Sequence, residues 1–274
     1  MAIDIDNNSL WIFCCKWAII MCKILLFLLI CLIFPNSCCY SENQYAETDE
    51  FSSSAVFVKV LLYHNVTPNM TNADNPYVIR LSVFEEQIKW LYENDIDCLT
   101  VSEMFEKLSA GMIRRKTAVI TFDDGYPDIY TYAFPVLKAY GVPATTYLVG
   151  EKIDTPKNLT GDMIHELYES GWEIGSHSMT HSDLTEHDDL DTEICRSRSL
   201  ISLLSNISAD DVTTFAYPYG NTDEIVTSKV WKCGYHSGAG LGQIPVDTNQ
   251  NPYYFPRHPV TSGMSFEEFT ALFN

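Results

Sequence analysis

Short runs of apolar and β-branched residues alternate with stretches of helical periodicity along most of the chain. The runs predict buried strands at Val56–Tyr63, Ala118–Phe122, Ala144–Val149, Trp172–Gly175, Thr213–Tyr217 and, more weakly, Phe255–Val260. Between them, apolar residues recur every three or four positions, as at Phe84, Ile88 and Leu91, and predict the buried faces of helices. Strands that alternate with helices predict an α/β fold, which closes readily into a barrel with its chemistry at the carboxyl ends of the strands.

The first 40 residues follow a different pattern. Residues 24–34 are apolar apart from Cys31, Lys16 and Lys23 precede them, and acidic residues follow from Glu42 onward. A basic flank before an apolar run is typical of a secretory signal peptide, and the longer apolar span would equally serve as an uncleaved signal anchor. Basic residues on the amino side predict a cytoplasmic N-terminus and an exported remainder. We therefore predict a signal peptide or signal anchor at 1–40, a linker at 41–55 and a globular domain at 56–274.

The charge and the cysteines narrow the classes of function. The 274 residues include 36 acidic and 17 basic side chains, for a formal net charge of −19. Binding to nucleic acid depends largely on Lys and Arg, so this charge predicts no nucleic-acid partner. Of the nine cysteines, only Cys98, Cys195 and Cys233 lie in the predicted globular domain, without any CxxC pair. We interpret these three as buried or free thiols rather than as a disulfide framework or a thiolate zinc site.

Two adjacent carboxylates, Asp123 and Asp124, follow the predicted strand Ala118–Phe122 and precede Gly125, which permits a sharp turn. Like charges side by side at a strand end repel each other, and a bound cation would neutralise them. The alternative is a structural role, in which the pair forms a turn and caps a helix that begins near Asp128.

Two histidines, His177 and His181, follow the predicted strand Trp172–Gly175. Four residues apart, they would lie on one face of a helical turn and hold one ion through their imidazole nitrogens. The spacing by itself is weak, because surface histidines pair by chance. Together with a carboxylate of the Asp pair, it predicts a two-histidine, one-carboxylate site with open positions for water and substrate, as a catalytic metal requires.

Three motifs, in this order and spacing, resemble those of the NodB-like polysaccharide deacetylases, carbohydrate esterase family four. They are TFDDG at Thr121–Gly125, HSMTH at His177–His181 and FAYPYG at Phe215–Gly220. The resemblance implies a distorted (β/α) barrel of the polysaccharide deacetylase (NodB homology) type that hydrolyses the acetamide of N-acetylglucosamine units. It also implies that a divalent metal ion, usually zinc, is bound by Asp124, His177 and His181. By the same resemblance, Asp123 is the general base, and the backbone amide of Tyr219 helps to hold the oxyanion.

Two departures from the family pattern leave roles to be filled. Ala216 stands where the third motif usually carries an arginine that orients the base, and the C-terminal Leu-x-His-Asp that usually supplies the general acid is absent. In a branch resembling the exported poly-N-acetylglucosamine deacetylases, the acid-bearing strand precedes the Asp pair. His64 is therefore the candidate acid, unless it merely caps its strand. Arg257 is the candidate for the missing arginine, and His258 is the rival acid.

The resulting hypothesis is an extracytoplasmic, metal-dependent hydrolase that removes N-acetyl groups from N-acetylglucosamine units of an extracellular or cell-wall polysaccharide. Its catalytic domain would span 56–274, either secreted or anchored to the membrane through an uncleaved N-terminal segment. The alternatives are a deacetylase of O-acetylated sugars and a membrane-anchored carbohydrate-binding pseudoenzyme. Chitin fragments, peptidoglycan and poly-N-acetylglucosamine all remain open as substrates.

Overall fold

The computed structural model of the protein describes residues 58–69 and 75–274. The predicted signal segment at 1–40, the linker at 41–55 and the first two residues of the first predicted strand lie outside the described residues. Within the described ranges, no helix combines the length and the apolar character needed to cross a bilayer.

The described residues form a curled parallel sheet with helices on its outer side. The strands are β1 (Val58–Tyr63), β2 (Asn65–Thr67), β3 (Val78–Arg80), β4 (Asp97–Leu99), β5 (Thr117–Phe122), β6 (Thr145–Leu148), β7 (Glu173–Ser176), β8 (Thr214–Ala216), β9 (Ser237–Ala239) and β10 (His258–Pro259). The main sheet has the order β10-β1-β5-β6-β7-β8-β9, and β4 pairs with the first half of β5. A separate parallel pair, β2 and β3, lies beside it. The five stronger predicted strands correspond to β1, β5, β6, β7 and β8.

The sheet closes through an irregular segment rather than through a long strand. Ala239 at the end of β9 forms a parallel bridge with Phe255. The backbone N–H of Gly240 donates to the carbonyl of Phe255 at 2.8 Å, and that of Gly242 donates to the carbonyl of Arg257 at 3.0 Å. Because β10 then pairs with β1, the strands form a distorted (β/α) barrel, as the resemblance of the motifs implied.

Helices follow most of the strands, as in a βα alternation. Within the described residues they are α1 (Leu81–Glu93), α2 (Val101–Ser109), α3 (Phe134–Tyr140), α4 (Gly161–Glu169), α5 (Ser197–Ser205), α6 (Glu224–Lys232) and α7 (Phe266–Ala271). A capping box of Thr100 and Glu103 begins α2, and Gly141 in the left-handed region (φ 66°) ends α3. Turns of π-helix, Ile129–Ala133 and Asp191–Arg196, lead into α3 and α5.

Alternate residues of each strand face opposite sides of the sheet, which gives the protein two apolar layers. The outer layer, between sheet and helices, includes Leu61, Tyr63, Ile120, Phe122 and Ile174. The inner layer, which fills the barrel, includes Val58, Val60, Val119, Tyr147 and Phe255. Polar side chains on the inner side therefore gather beyond this apolar filling, at the carboxyl ends of the strands.

The interpretation of Cys195 and Cys233 as thiols was wrong, whereas that of Cys98 is confirmed. Cys195 and Cys233 form a disulfide, with their Cα atoms 4.9 Å apart. The π-helical turn Asp191–Arg196 packs against α6, and this contact brings together two cysteines that are 38 residues apart in sequence. Spacing alone does not reveal such a tertiary approach. Cys98 is a half-buried free thiol.

Candidate active site

A strained turn presents the two adjacent carboxylates at the end of β5. Asp124 and Gly125 both adopt left-handed backbone conformations, with φ of 71° and 70°. The positive φ at Gly125 favours glycine, and a side chain there would also press on the end of the Leu148 side chain, 2.9 Å from the added Cβ. The side-chain amide of Asn158 donates to the carbonyls of Asp124 at 2.8 Å and Gly125 at 3.3 Å. The turn thus places Asp123 and Asp124 in one pocket.

Asp123 forms a buried ion pair with Arg257. The guanidinium donates to Oδ1 at 2.6 Å and to Oδ2 at 2.8 Å, and it lies over the Tyr147 ring at 5.1 Å from the ring centre. Arg257 is 1% exposed and Asp123 3% exposed. Burial alone raises the pKa of Asp123, but Arg257 and His177 outweigh it and hold that pKa well below its usual range. Asp123 is therefore ionised at neutral pH, and Arg257 fixes the orientation of its carboxylate.

His177 and His181 converge, but not on a helical turn. Ser178 (φ 67°) and His181 (φ 69°) adopt left-handed conformations, so residues 177–181 form a loop after β7 and the predicted shared helical face was wrong. The two imidazole rings nevertheless meet edge to face, with centres 4.7 Å apart. Nδ1 of His177 hydrogen-bonds the carbonyl of Ala216 at 2.8 Å, which leaves Nε2 directed toward the carboxylates. The loop, rather than the helical period, brings the histidines together.

Asp124, His177 and His181 fit a divalent metal ion. One donor atom from each lies within 4.8 Å of the other two, and His181 Nε2 is 3.5 Å from Asp124 Oδ1. Ligands at about 2.1 Å in tetrahedral zinc sites are separated by about 3.4 Å, close to this spacing. Oδ1 of Asp124 is buried without a hydrogen-bond partner. Burial lowers the pKa of His177 to about 4, so its imidazole is neutral and able to coordinate at pH 7.

His64 follows β1 and faces the same pocket. Its side chain lies on the same inner side of the sheet as that of Leu62, two residues earlier, and both residues line the pocket. Its ring packs on that of Tyr77, with ring centres 4.6 Å apart. Its Nδ1 is buried without a hydrogen-bond partner. Burial lowers the pKa of His64, although the Asp123 and Asp124 carboxylates act in the opposite direction. The ring of His64 therefore lies in the wall of the pocket that holds Asp123 and Asp124.

His258 faces away from the pocket. In the parallel pairing of β1 with β10, Leu61 lies opposite His258 and belongs to the outer apolar layer. Arg257 and Pro259, the neighbours of His258 in sequence, both line the pocket instead. Burial and the nearby charge of Lys59 lower the pKa of His258. Strand alternation thus separates the two candidate acids, and only His64 reaches the site.

The pocket has a volume of about 270 Å³ and opens between aromatic side chains. Tyr219 lies in a left-handed conformation (φ 61°) in the turn Pro218–Gly220 that follows β8. Its side chain is 60% exposed, and its ring packs edge to face on His181 with centres 4.8 Å apart. Tyr77 and Tyr126 line the pocket as well. The walls are therefore suited to a sugar ring, whose faces pack on aromatic side chains.

Sequence reasoning missed two residues that hold the site, Asn158 and Glu193. Asn158 supports the Asp124 turn from a loop 34 positions away, and no local pattern marks it. Glu193 is 1% exposed and accepts hydrogen bonds from the loop between the two histidines. A weak signal for Glu193 does exist, because Ser197, one helical turn later, is also buried.

Comparison with known proteins identifies the family. The family model for polysaccharide deacetylases matches residues 111–238. The Bacillus subtilis (strain 168) protein named "Putative polysaccharide deacetylase YxkH" is 31% identical over 215 residues, which cover 77% of this chain and 74% of that protein. The chain belongs to the polysaccharide deacetylase family. The predictions of the family and of a deacetylase enzyme are therefore confirmed.

Other polysaccharide deacetylases are also similar to this chain. The poly-β-1,6-N-acetyl-D-glucosamine N-deacetylase of Staphylococcus aureus (strain MRSA252) is 31% identical over 195 residues, which cover 66% of this chain and 67% of that protein. The solved structure of Streptococcus pyogenes deacetylase PplD in complex with acetate has a TM-score of 0.73 at 21% identity, covering 81% of this chain and 100% of that chain. This structural likeness confirms the predicted barrel fold.

Proposed function

We propose that this polysaccharide deacetylase hydrolyses the N-acetyl groups of N-acetylglucosamine units in an extracellular or cell-wall polysaccharide, and that it requires one divalent metal ion. The observation that carries the proposal is the meeting of three donor atoms, from Asp124, His177 and His181, beside the buried and ionised Asp123. The similar Staphylococcus aureus enzyme is named for poly-β-1,6-N-acetyl-D-glucosamine, which supports this class of substrate.

Asp124, His177 and His181 would hold the metal ion, with zinc as the proposed metal. Such an ion supplies a Lewis acid that polarises the acetyl carbonyl and acidifies a water molecule. Asp123 would accept a proton from the attacking water molecule while the oxygen of that water bonds to the acetyl carbonyl carbon, since Arg257 holds the carboxylate in one orientation. This division of roles explains why one carboxylate is paired with arginine and the other has a buried oxygen without a hydrogen bond.

His64 is the proposed general acid. When the C–N bond breaks, the leaving amine needs a proton, and the acetyl group leaves as acetate. Of the histidines at the pocket, two belong to the proposed metal site, so His64 remains to deliver that proton. Its ring lines the pocket beside Asp123 and Asp124, where the acetamide would bind.

Tyr219 is proposed to stabilise the oxyanion through its backbone N–H. The ring of Tyr219 packs on that of His181, and Tyr219 and Gly220 both line the pocket, so this turn borders the space where an acetyl group would bind. Donors arranged before the reaction stabilise the charge that develops in the transition state. The exposed tyrosine ring would at the same time cover the bound sugar.

We further propose that residues 56–274 are the catalytic domain and that it acts outside the cytoplasm, either secreted or anchored through residues 1–40. The Cys195–Cys233 disulfide supports this location, because disulfides persist mainly in oxidising compartments. The basic flank and apolar run of the N-terminal segment support it independently.

A substrate panel tests the proposed reaction. The zinc-loaded enzyme is incubated with β-1,6-linked and β-1,4-linked N-acetylglucosamine oligomers and with O-acetylated xylo-oligosaccharides, and acetate and new amines are quantified. We expect equal amounts of acetate and free amine from N-acetylglucosamine oligomers. Acetate from the xylo-oligosaccharides alone would contradict the proposal and would favour a deacetylase of O-acetylated sugars.

A further inference from the structure

One buried carboxylate accepts hydrogen bonds from the loop between the two histidines. Glu193 Oε2 accepts hydrogen bonds from the backbone N–H groups of Met179 at 3.1 Å and Thr180 at 3.0 Å. Its Oε1 accepts from the Thr180 hydroxyl at 2.8 Å and lies 3.7 Å from Nε2 of His187. The backbone carbonyl of Glu193 also accepts from the N–H of Met179, at 3.0 Å. One residue thus holds the backbone at the middle of the His177–His181 loop.

We propose that Glu193 is a positioning residue for metal binding: its carboxylate fixes the loop so that His181 meets Asp124 and His177. The loop needs an external support because Ser178 and His181 both adopt left-handed conformations, which are unfavourable for residues other than glycine. The loop belongs to no helix or strand. The backbone N–H groups of Gly150 and Glu151 donate to its Ser178 and Met179 carbonyls at 3.0 Å, and Glu193 accepts from its Met179 and Thr180 N–H groups. This inference rests on the proposed metal site.

The segment that carries Glu193 is itself firmly held. Ile194 is fully buried, and Cys195 is joined to Cys233 by the disulfide. At the start of the same π-helical turn, Asp191 accepts a hydrogen bond from Lys229 at 2.8 Å. The disulfide and the Lys229 hydrogen bond both join this segment to the C-terminal end of α6, so the segment that carries Glu193 is fixed at two points.

Chemistry favours a carboxylate at this position. All three bonds to the side chain come from donors, and an ionised carboxylate is an acceptor at both oxygens. A glutamine can direct its carbonyl oxygen to the two backbone N–H groups and its NH₂ group to the Thr180 hydroxyl. That hydroxyl can then accept from the glutamine and donate to Ser182 Oγ, which lies 2.7 Å away. Glu193→Gln should therefore retain most of the support, whereas Glu193→Ala removes all of it.

Glu173 offers a matched control, because it lies at the start of β7, the strand whose other end leads into the His177–His181 loop. It also accepts hydrogen bonds from two backbone N–H groups, of Val101 at 2.9 Å and Ser102 at 3.2 Å, and from the Thr145 hydroxyl at 2.8 Å. It lies at the start of β7, away from the pocket, whereas Glu193 supports the loop after β7. Glu173→Ala should lower stability without changing metal affinity.

The test measures zinc affinity of the metal-free protein by competition with a chromophoric chelator, together with the melting temperature before zinc is added. Supports of metal ligands typically contribute about 10- to 100-fold in affinity, so we expect Glu193→Ala to raise the Kd for Zn²⁺ by about that factor. We expect Glu193→Gln and Thr180→Val to raise it by smaller factors, and Glu173→Ala to leave it unchanged.

Each outcome decides the proposal. An unchanged Kd in Glu193→Ala, or an equal increase in Glu173→Ala, would overturn the positioning role. If Glu193→Ala does not fold, wild-type affinity in both Glu193→Gln and Thr180→Val would overturn it as well. A wild-type protein that binds no Zn²⁺ would instead overturn the proposed metal site, and this inference with it.

Discussion

Arg257 donates two hydrogen bonds to the carboxylate of Asp123, across 134 residues of sequence. Both partners are almost fully buried, so neither charge has water as an alternative partner. The family's usual arginine position in the third motif is filled by Ala216, and the guanidinium at Asp123 comes instead from the segment that closes the barrel. This buried ion pair thus also links the segment just before β10 to the turn after β5.

The first prediction concerns this ion pair. Removing one partner of a buried pair leaves an uncompensated charge, at a cost of about 3–5 kcal/mol. We therefore expect Arg257→Gln to lower the free energy of unfolding by about that amount and to reduce turnover. Urea unfolding of the metal-free protein measures the first effect.

The control is Arg115→Gln, because Arg115 forms only an exposed contact with Asp97 at 4.0 Å. Exposed ion pairs contribute little, so its stability should stay near wild type. Equal losses in the two variants would show that the Arg257 pair has no special weight.

The second prediction separates the two adjacent carboxylates. Asp124→Asn should lose zinc affinity, because it weakens a proposed ligand. Asp123→Asn should retain zinc but lose turnover by about a hundredfold or more, since the proton acceptor is gone. Metal content and acetate release, measured on the same samples, distinguish the two. Loss of zinc in Asp123→Asn alone would reverse the assigned roles.

A stability measurement adds a structural check to this pair of variants. Asp123→Asn leaves the buried Arg257 without its counter-charge, whereas Asp124→Asn does not. We therefore expect the free energy of unfolding without metal to fall further in Asp123→Asn.

The third prediction concerns His64 as the acid. A positioned acid contributes about 10²- to 10⁴-fold, so His64→Gln should lower turnover on acetamides by a factor in that range while zinc affinity stays near wild type. An activated acetyl ester needs little protonation of its leaving group, so the loss on an ester should be much smaller. His258→Gln is the control, because its side chain faces the outer layer and should leave both rates near wild type. Equal losses of His64→Gln on amide and ester would contradict the role.

The fourth prediction is the pH dependence of that step. Burial lowers the pKa of His64, so its protonated form becomes populated only as the pH falls through a value below 6.5. A required acid is active when protonated. With zinc kept saturating, kcat/KM on acetamides should therefore rise as the pH falls from 8 toward 6. In His64→Gln this slope should disappear; a wild-type rate that rises with pH over the same range would exclude His64 as the acid.

The fifth prediction concerns the disulfide. A cross-link of this span typically contributes about 2–4 kcal/mol, so the Cys195→Ala, Cys233→Ala double variant should be less stable by about that amount. Reductant should lower the melting temperature of the wild type and of Cys98→Ala, but not that of the double variant. An unchanged melting temperature of the wild type in reductant would show that the disulfide does not form.

The strands and their polar ends could be predicted from sequence because each depends on a local pattern. The apolar run before Asp123 and the one before His177 correspond to β5 and β7, and the motifs predicted which side chains would meet at their ends. The Arg257 contact needed the resemblance to a family, which said that an arginine was missing. Periodicity alone gives no reason for a residue 134 positions away to return to Asp123.

The rest depended on tertiary contacts. The helical period predicted the wrong backbone for His177–His181, because Ser178 and His181 adopt left-handed conformations and the hydrogen bonds of this loop include partners outside it, such as Glu193. The Cys195–Cys233 pairing likewise follows from packing of two helical segments rather than from spacing. His64 and His258 could not be separated until the register of β1 with β10 showed which side of the sheet each one faces.

The most direct measurement of the central claim is acetate release from an N-acetylglucosamine oligomer by metal-free protein titrated with Zn²⁺. The proposed site predicts almost no acetate without metal, a rise that stops at one zinc per chain, and no rise in His181→Ala. Full acetate release by protein shown to contain no metal, or a rate indifferent to added zinc, would contradict the account of Asp124, His177 and His181 as a catalytic metal site.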